Sequence, residues 1–419
     1  METLTDYILW RGDLKFTQSR FNIMDAMVLS QVTYFDMLPY FSAAHPSGNA
    51  DPEDKSKDGA LPANGGAHVI GTISEIYEYL SSHDAIKCTI VGPSEKSIRL
   101  FKAAAMSERF GNVKISFHAD IHAPEYSLQF AAMTFTVKDE AGELAYVSYR
   151  GTDGSVAGWK EDFMMTCRRT RSQAMALDYL QHVILKYSAR HGLSADKAPD
   201  TASKLPELSG PGAPYPRFIV GGHSKGANHA MFASALLPAE LQDRLETIYI
   251  FDGPGFCPDV LDAELLQPIS GRMKRVVPEY CIFGKIFEVD VPDTVIVKST
   301  DLGIMQHNMS TWRLDHNHLL TADGYYATSR LLSAKLMNWV NTMNLEEREE
   351  FVQRFFRIFE ESLPENWDMN EAGERLSERI GEKIGGRLAD RVPGRLTEKL
   401  PDNLAGKLIE IEKEIRRLL

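Results

Sequence analysis

The stretch Arg217-Phe218-Ile219-Val220-Gly221-Gly222-His223-Ser224-Lys225-Gly226-Ala227-Asn228-His229-Ala230 decides how the rest of the chain is read. Its first part, Arg217 to Gly221, is the apolar run of a buried strand, and Ala227 to Leu237 continues with helical spacing. Between them lies the pentad Gly222-His223-Ser224-Lys225-Gly226, a Gly-x-Ser-x-Gly pattern in the strand, tight turn and helix setting of a nucleophile elbow. The turn strains the backbone at its serine, and the small residues two before and two after Ser224 let strand and helix pack closely. Ser224 is thereby presented at a helix N-terminus, where the helix dipole and the Lys225 backbone N-H can stabilise an oxyanion. A glycine-rich turn without chemistry is the competing reading.

A serine nucleophile needs a base. Of the downstream histidines, His229 lies inside the elbow helix and is expected to point elsewhere, whereas His307 follows a strand and sits in a loop, as a triad histidine should. His316 and His318 have alternate spacing, which on a helix puts them on different faces and argues against a metal pair. The acid that orients the histidine is expected between Ser224 and His307. Asp252 ends the strand Thr247 to Phe251 and opens the turn Asp252-Gly253-Pro254-Gly255-Phe256; Glu279 ends the short apolar run Val276-Val277-Pro278. Asp252 is preferred, because active-site residues of open α/β sheets collect at strand ends, and Glu279 stays open as the alternative acid. A second oxyanion donor is expected from an earlier strand-to-loop connection, and Tyr149-Arg150-Gly151-Thr152-Asp153-Gly154 supplies one, with Thr152 offering a backbone N-H and a hydroxyl.

Outward from the pentad, strands and helices alternate. Helical patterns cover Asn22 to Phe41, Ile70 to Leu80, Ser94 to Arg109, Asp162 to Ser188 and Gly324 to Asn344. Strands are expected at Ala85 to Val91, Val113 to Phe117, Ser127 to Val137, Ala145 to Arg150, Thr247 to Phe251 and Thr294 to Lys298. This order predicts an α/β domain over 1–345 with a mostly parallel central sheet. Residues 42–68 and 189–216 are rich in Gly, Pro, Ser and Ala and read as mobile loops, the second long enough to be lid-like.

Composition narrows the function classes. The 419 residues, at roughly 100 to 200 per domain, fit one large α/β domain with an appendage. With 58 acidic and 46 basic residues the formal net charge is −12, which disfavours a nonspecific nucleic-acid binder. No apolar run approaches the length of a membrane span, and Met1 to Gly12 has no hydrophobic signal region. Cys88, Cys167, Cys257 and Cys281 form no Cys-x-x-Cys pair, so reduced thiols in a cytoplasm are expected and a cysteine zinc site is not. The chemistry requires neither a metal nor an organic cofactor.

From 346 to 419 charged helix formers dominate, and from Gly373 the chain reads as nine tetrads, GERL, SERI, GEKI, GGRL, ADRV, PGRL, TEKL, PDNL and AGKL. A four-residue period drifts by about 40° per tetrad around a helix, so one straight helix would wind its apolar stripe around the whole surface. Gly385-Gly386, Pro393 and Pro401 instead divide the tail into short amphipathic helices. They are expected to pack on the body, to pair between subunits, or to lie peripherally on a membrane surface.

The Tyr149-Arg150-Gly151-Thr152 segment with Trp159 and Asp162, the elbow, and a following histidine resemble the class 3 (fungal-type) lipase branch of the α/β-hydrolases. More closely, Gly221 to Asn228, Phe251 to Phe256, and Gln306-His307-Asn308 with Trp312 resemble a bacterial family of lipase-like proteins of undefined function. Over roughly residues 15 to 340 this resemblance implies an α/β-hydrolase fold, Ser224 as nucleophile, His307 as base, and Thr152 with Lys225 as oxyanion donors. The resemblance transfers neither the substrate nor a lid; the triad chemistry itself points to a serine hydrolase cleaving an ester, of an acyl lipid or a small molecule, and the alternative is a catalytically weak or inactive hydrolase-fold scaffold acting through its C-terminal amphipathic region. Two departures stand out. Where class 3 lipases usually carry an Asp in an Asn-x-x-Asp-x-Val segment, this chain reads Pro278-Glu279-Tyr280-Cys281-Ile282. Lys225 follows the nucleophile where a lipid cleft suits an apolar or neutral residue, and it is expected to favour anionic or polar-headed substrates.

Overall fold

The computed structural model describes residues 3–44, 69–90, 94–123, 126, 128–153, 161, 164–190, 217–342 and 346–347. The connections expected at 42–68 beyond residue 44 and at 189–216 beyond residue 190, the tetrad repeat, Trp159 and Asp162 lie outside the described residues.

The central element is an eight-stranded sheet whose strands lie side by side in chain order. They are β1 Val69–Thr72, β2 Lys114–Ala123, β3 Leu128–Asp139, β4 Gly142–Tyr149, β5 Arg217–His223, β6 Leu245–Phe251, β7 Met273–Pro278 and β8 Thr294–Val297. The pairings from β1 to β4 are antiparallel, and those from β4 to β8 are parallel. The parallel half, which carries the pentad, is the half expected from the alternation of elements; the antiparallel half arises because β2, β3 and β4 follow one another without intervening helices.

Period-two alternation distributes the strand side chains between two cores. Ala145, Val147 and Tyr149 of β4, Phe218 and Val220 of β5, and Ile248 and Ile250 of β6 face α6 (Arg171–Arg190) and α7 (Lys225–Leu236). Leu144, Tyr146, Ile219, Tyr249 and Phe251 face the opposite layer, made by α1 (Leu4–Arg11), α2 (Ile23–Val32), α4 (Ile73–Ser82) and α5 (Glu95–Met106). On α6 the buried residues Met175, Ala176, Tyr179, Leu180, Val183, Ile184 and Tyr187 form one helical stripe. By contrast α2 is buried from Met24 to Val32 on every side, as a helix pressed between sheet and outer helices must be. Its start is set by Asn22, whose side chain accepts hydrogen bonds from the N-H groups of Met24 and Asp25.

Several local readings change. The helix expected over 22–41 is broken: α2 ends at Val32 and α3 (Leu38–Ala44) follows. Residues 33–36 are instead engaged by the segment expected to be the strand Ala85 to Val91, with the Asp36 N-H donating to the Lys87 carbonyl and the Thr89 N-H to that of Tyr34. Among its described residues, 85–90, that segment makes one isolated bridge, Phe35 to Cys88, and joins no sheet. The helix expected from Ile70 begins at Ile73, because Thr72 caps it through a reciprocal capping box with Glu75 and leaves Val69–Thr72 to pair with β2. His316 and His318 belong to a small hairpin, β9 (Leu314–Asp315) and β10 (His318–Leu319), not to a helix. The last described helix is α8 (Ala327–Thr342). Among the described residues no helix is long and apolar enough to cross a membrane. Sheet, flanking helices and the strand-elbow-helix unit at the sheet centre make an α/β-hydrolase fold.

Candidate functional site

Parallel register brings the C-terminal ends of the central strands level: Gly222 of β5 stands beside Tyr149 of β4, and His223 beside Phe251 of β6. Residues that follow these strands therefore gather at one edge. Ser224 is the first residue after β5, with φ 59° and ψ −125°, a left-handed conformation disfavoured for any side chain. Two backbone bonds hold it there: its N-H donates to the Phe251 carbonyl at 2.9 Å, and its carbonyl accepts from Ala227 at 3.0 Å as α7 begins. The flanking glycines are sterically required. A Cβ at Gly226 would collide with the Tyr149 carbonyl, and one at Gly222 with the Gly226 carbonyl. Lys225 is the first residue of α7, so its N-H is one of the helix N-terminal donors.

The loop leaving β4 runs directly over the elbow. A Cβ at Gly151 would stand 2.7 Å from the His223 carbonyl oxygen and 3.2 Å from the Ser224 Cβ, and Thr152, buried, follows it.

Asp252, the first residue after β6, and His307, in a 3-10 turn after β8, meet here: His307 Nδ1 lies 2.6 Å from Asp252 Oδ2. The Asp252 side chain is 1% exposed and that of His307 19%, so the pair runs from the interior toward solvent. Burial opposes ionisation of Asp252, but the hydrogen bond and charge of His307, with a further hydrogen bond from the Cys281 thiol, outweigh it and hold the carboxyl below its ordinary pKa. The carboxylate accepts, so Nδ1 of His307 carries the proton and Nε2 is the basic ring nitrogen. The His307 ring is sandwiched between Phe283 and His223, with centroids 4.3 and 4.5 Å away.

His223, the variable residue of the pentad before Ser224, contributes more than spacing. Its Nε2 donates to the His307 carbonyl at 2.7 Å, and its Nδ1 accepts from the Tyr34 hydroxyl at 2.9 Å. A carbonyl can only accept, so the tautomer is fixed with the proton on Nε2. Burial, reinforced by the nearby His307, pushes the His223 pKa down to about 3, so it is neutral over the working range. This bond fixes the backbone of His307. Nothing in the linear sequence marks Tyr34, 189 residues away, as its partner.

The remaining residues singled out in the sequence fall as follows. Glu279 does not approach His307: its carboxylate accepts from the Tyr326 hydroxyl at 3.3 Å and its carbonyl from the Tyr326 N-H at 2.8 Å. His229 is fully buried, with Nε2 3.0 Å from the Ser172 hydroxyl oxygen. The expectation that the Lys225 side chain faces substrate is corrected: it is 1% exposed, and its Nζ lies 2.5 Å from Glu161 Oε2. Glu161 Oε2 also accepts from the Gln129 N-H at 2.9 Å. The helix start turns the residue after Ser224 inward, where an ammonium needs a carboxylate, and Glu161 supplies it. Among the described residues no group of three His, Cys, Asp or Glu side chains is arranged to hold a metal ion. Two surface grooves, of about 680 and 620 Å³, are lined by none of Ser224, Asp252 and His307.

No curated protein matches this sequence significantly. The crystal structure of M37 lipase is similar over 47% of this chain and 64% of that one, with 16% identity and a TM-score of 0.31, so the chain spans less than two thirds of the length of that lipase. Residues 104–357 match the family model described as Mbeg1-like, a stretch that contains Thr152, Ser224, Asp252, Glu279 and His307, and the chain therefore belongs to this lipase-like family.

Proposed function

We propose that this protein is a serine hydrolase that cleaves carboxylic esters, of acyl lipids or small molecules, through an acyl-enzyme. The observation that carries the reading is the 2.6 Å contact of His307 Nδ1 with Asp252, next to a Ser224 held at φ 59° at the start of α7. Ser224 Oγ attacks the ester carbonyl while His307 Nε2 takes its proton, and the carbonyl π electrons move to oxygen. The resulting oxyanion is stabilised by the backbone N-H groups of Thr152 and Lys225 and by the N-terminal dipole of α7. Collapse expels the alcohol, which takes the proton from His307 and leaves Ser224 acylated. Water, deprotonated by His307, then attacks the acyl-enzyme, and the carboxylic acid departs as the proton returns to Ser224. Asp252 keeps the imidazole in the required tautomer and stabilises the imidazolium formed in both steps.

The test is intact-mass analysis after treatment with a fluorophosphonate probe, which phosphonylates an activated serine. A single adduct on the wild type that is lost in Ser224→Ala supports the reading. A folded wild type that takes no adduct, or an adduct retained in Ser224→Ala, refutes it.

A further inference from the structure

Asp252 shares only one of its oxygens with His307. The other, Oδ1, lies 3.1 Å from Cys281 Sγ and 3.2 Å from the Gly284 backbone nitrogen, both of which donate to it. The two donors come from the segment that follows β7. That strand runs parallel to β6, with Phe251 beside Val276 and the Asp252 N-H bonded to the Val276 carbonyl at 2.9 Å. The strand end at which the Glu279 alternative lies thus sends no carboxylate to His307; it sends a thiol to the carboxylate of the neighbouring strand. Both partners are buried, Cys281 and Asp252 each 1% exposed, so solvent does not compete for the bond.

We propose that Cys281 is a positioning residue of the Asp252-His307 pair: its S-H, with the Gly284 N-H, holds Oδ1 so that Oδ2 stays aimed at His307 Nδ1. This rests on the reading of Asp252 as the triad acid. A buried carboxylate with one unbonded oxygen would rotate about its Cβ-Cγ bond or be partly desolvated without compensation, and two fixed donors on Oδ1 remove that freedom. The donor type also matters. A thiol is a weak donor, so it fixes direction while withdrawing little charge from the carboxylate that must stabilise the imidazolium.

This assigns opposite signatures to two substitutions. In Cys281→Ala the Asp252 carboxylate loses a donor and becomes more basic, so the His307 imidazolium is stabilised and the acidic limb of the pH-rate profile moves to higher pH. In Cys281→Ser a stronger donor withdraws more charge, so the same limb moves to lower pH, while the rate is restored toward wild type. The expected loss in Cys281→Ala is about tenfold in the rate constant of fluorophosphonate labelling, the scale of one hydrogen bond to a charged group.

The experiment measures labelling rate constants against pH for wild type, Cys281→Ala, Cys281→Ser and Asp252→Asn, with melting temperatures for each. The inference also predicts an activity-independent signal: the S-H stretching band of Cys281, assigned by difference against Cys281→Ser, lies below the bands of the other three cysteines and shifts upward in Asp252→Asn. Opposed limb shifts, rescue by serine and the displaced band support the proposal. Wild-type rates and limbs in both Cys281 variants, or a Cys281 band that ignores Asp252→Asn, overturn it while leaving the triad reading intact. Asp252→Asn labelled as fast as wild type overturns the triad reading itself.

Discussion

Lys225→Met should cost this protein a large part of its stability. It removes an ammonium 1% exposed and 2.5 Å from the carboxylate of Glu161, itself 3% exposed, and leaves that carboxylate with the Gln129 N-H as its remaining described donor. At an effective dielectric of about 20 the lost attraction is about 7 kcal/mol before desolvation is counted. Desolvating both groups offsets much of that, so the net cost of removing one partner is about 3 to 5 kcal/mol. Replacing both, as Lys225→Met with Glu161→Leu, removes the unpaired charge and should recover most of the loss, because a buried pair and an apolar pair of similar volume are of comparable stability. The assay is equilibrium urea unfolding followed by tryptophan fluorescence, with the two single variants and the double variant as a cycle. The Lys225 N-H is kept in every variant, so a fall in fluorophosphonate labelling of Lys225→Met reports displacement of the segment that carries Glu161, not loss of an oxyanion donor. A single variant within about 0.5 kcal/mol of wild type, or a double variant as unstable as the worse single one, refutes the reasoning, since either result means that no buried charge was left unpaired.

Three further outcomes are expected. Asp252→Asn lowers kcat for an activated ester by orders of magnitude, by about 10⁴ where the amide favours the wrong tautomer, whereas Glu279→Gln, whose side chain bonds Tyr326, leaves it within a few-fold; the reverse ranking moves the acid to Glu279. His223 is neutral when folded down to about pH 3 but takes a proton below its ordinary value of 6.5 when unfolded, so the unfolded state binds the extra proton and stability is lost as the pH is lowered through that window. His223→Gln should remove this contribution, of up to about 1.4 kcal/mol per pH unit, and a wild-type minus variant stability difference that stays flat from pH 7 to 4 rules it out. Ser224→Gly relieves the φ 59° conformation and should raise stability by about 1 kcal/mol in urea unfolding while abolishing labelling; a loss of stability would show that the strain is not there.

Much of the fold was legible because its signals are local. The apolar run of β5, the pentad and the helical spacing of α7 lie within twenty residues, and each is written in the local pattern of residue types. The strands β3, β4 and β6 and the helix α5 were legible for the same reason, whereas the single helix expected over Asp162 to Ser188 is interrupted at residues 168–170, and α6 begins only at Arg171. The break between α2 and α3 was not, since residues 33–36 are engaged by a segment fifty residues further on, and no local propensity encodes that pairing. Strand β7 was half hidden because Lys274 and Arg275 interrupt its apolar run; the Arg275 guanidinium is buried against Glu288 and the Gly284 carbonyl, partners that only the folded chain supplies.

By itself the sequence determined that Ser224 sits on a strained turn at a helix N-terminus, because glycines at 222 and 226 are the residues that this close approach of backbones permits. It also narrowed the candidate base to His307, a loop residue after a strand, and the candidate acid to Asp252 or Glu279, residues that end apolar runs. Only the tertiary structure brought His307 to Asp252 and sent Glu279 to Tyr326, turned the Lys225 ammonium inward to Glu161, and joined Tyr34 to His223. These pairings span between 47 and 189 residues of chain, and their geometry is set by sheet register and layer packing, which decide how strand ends align in space and leave no trace in the spacing of residues along the chain.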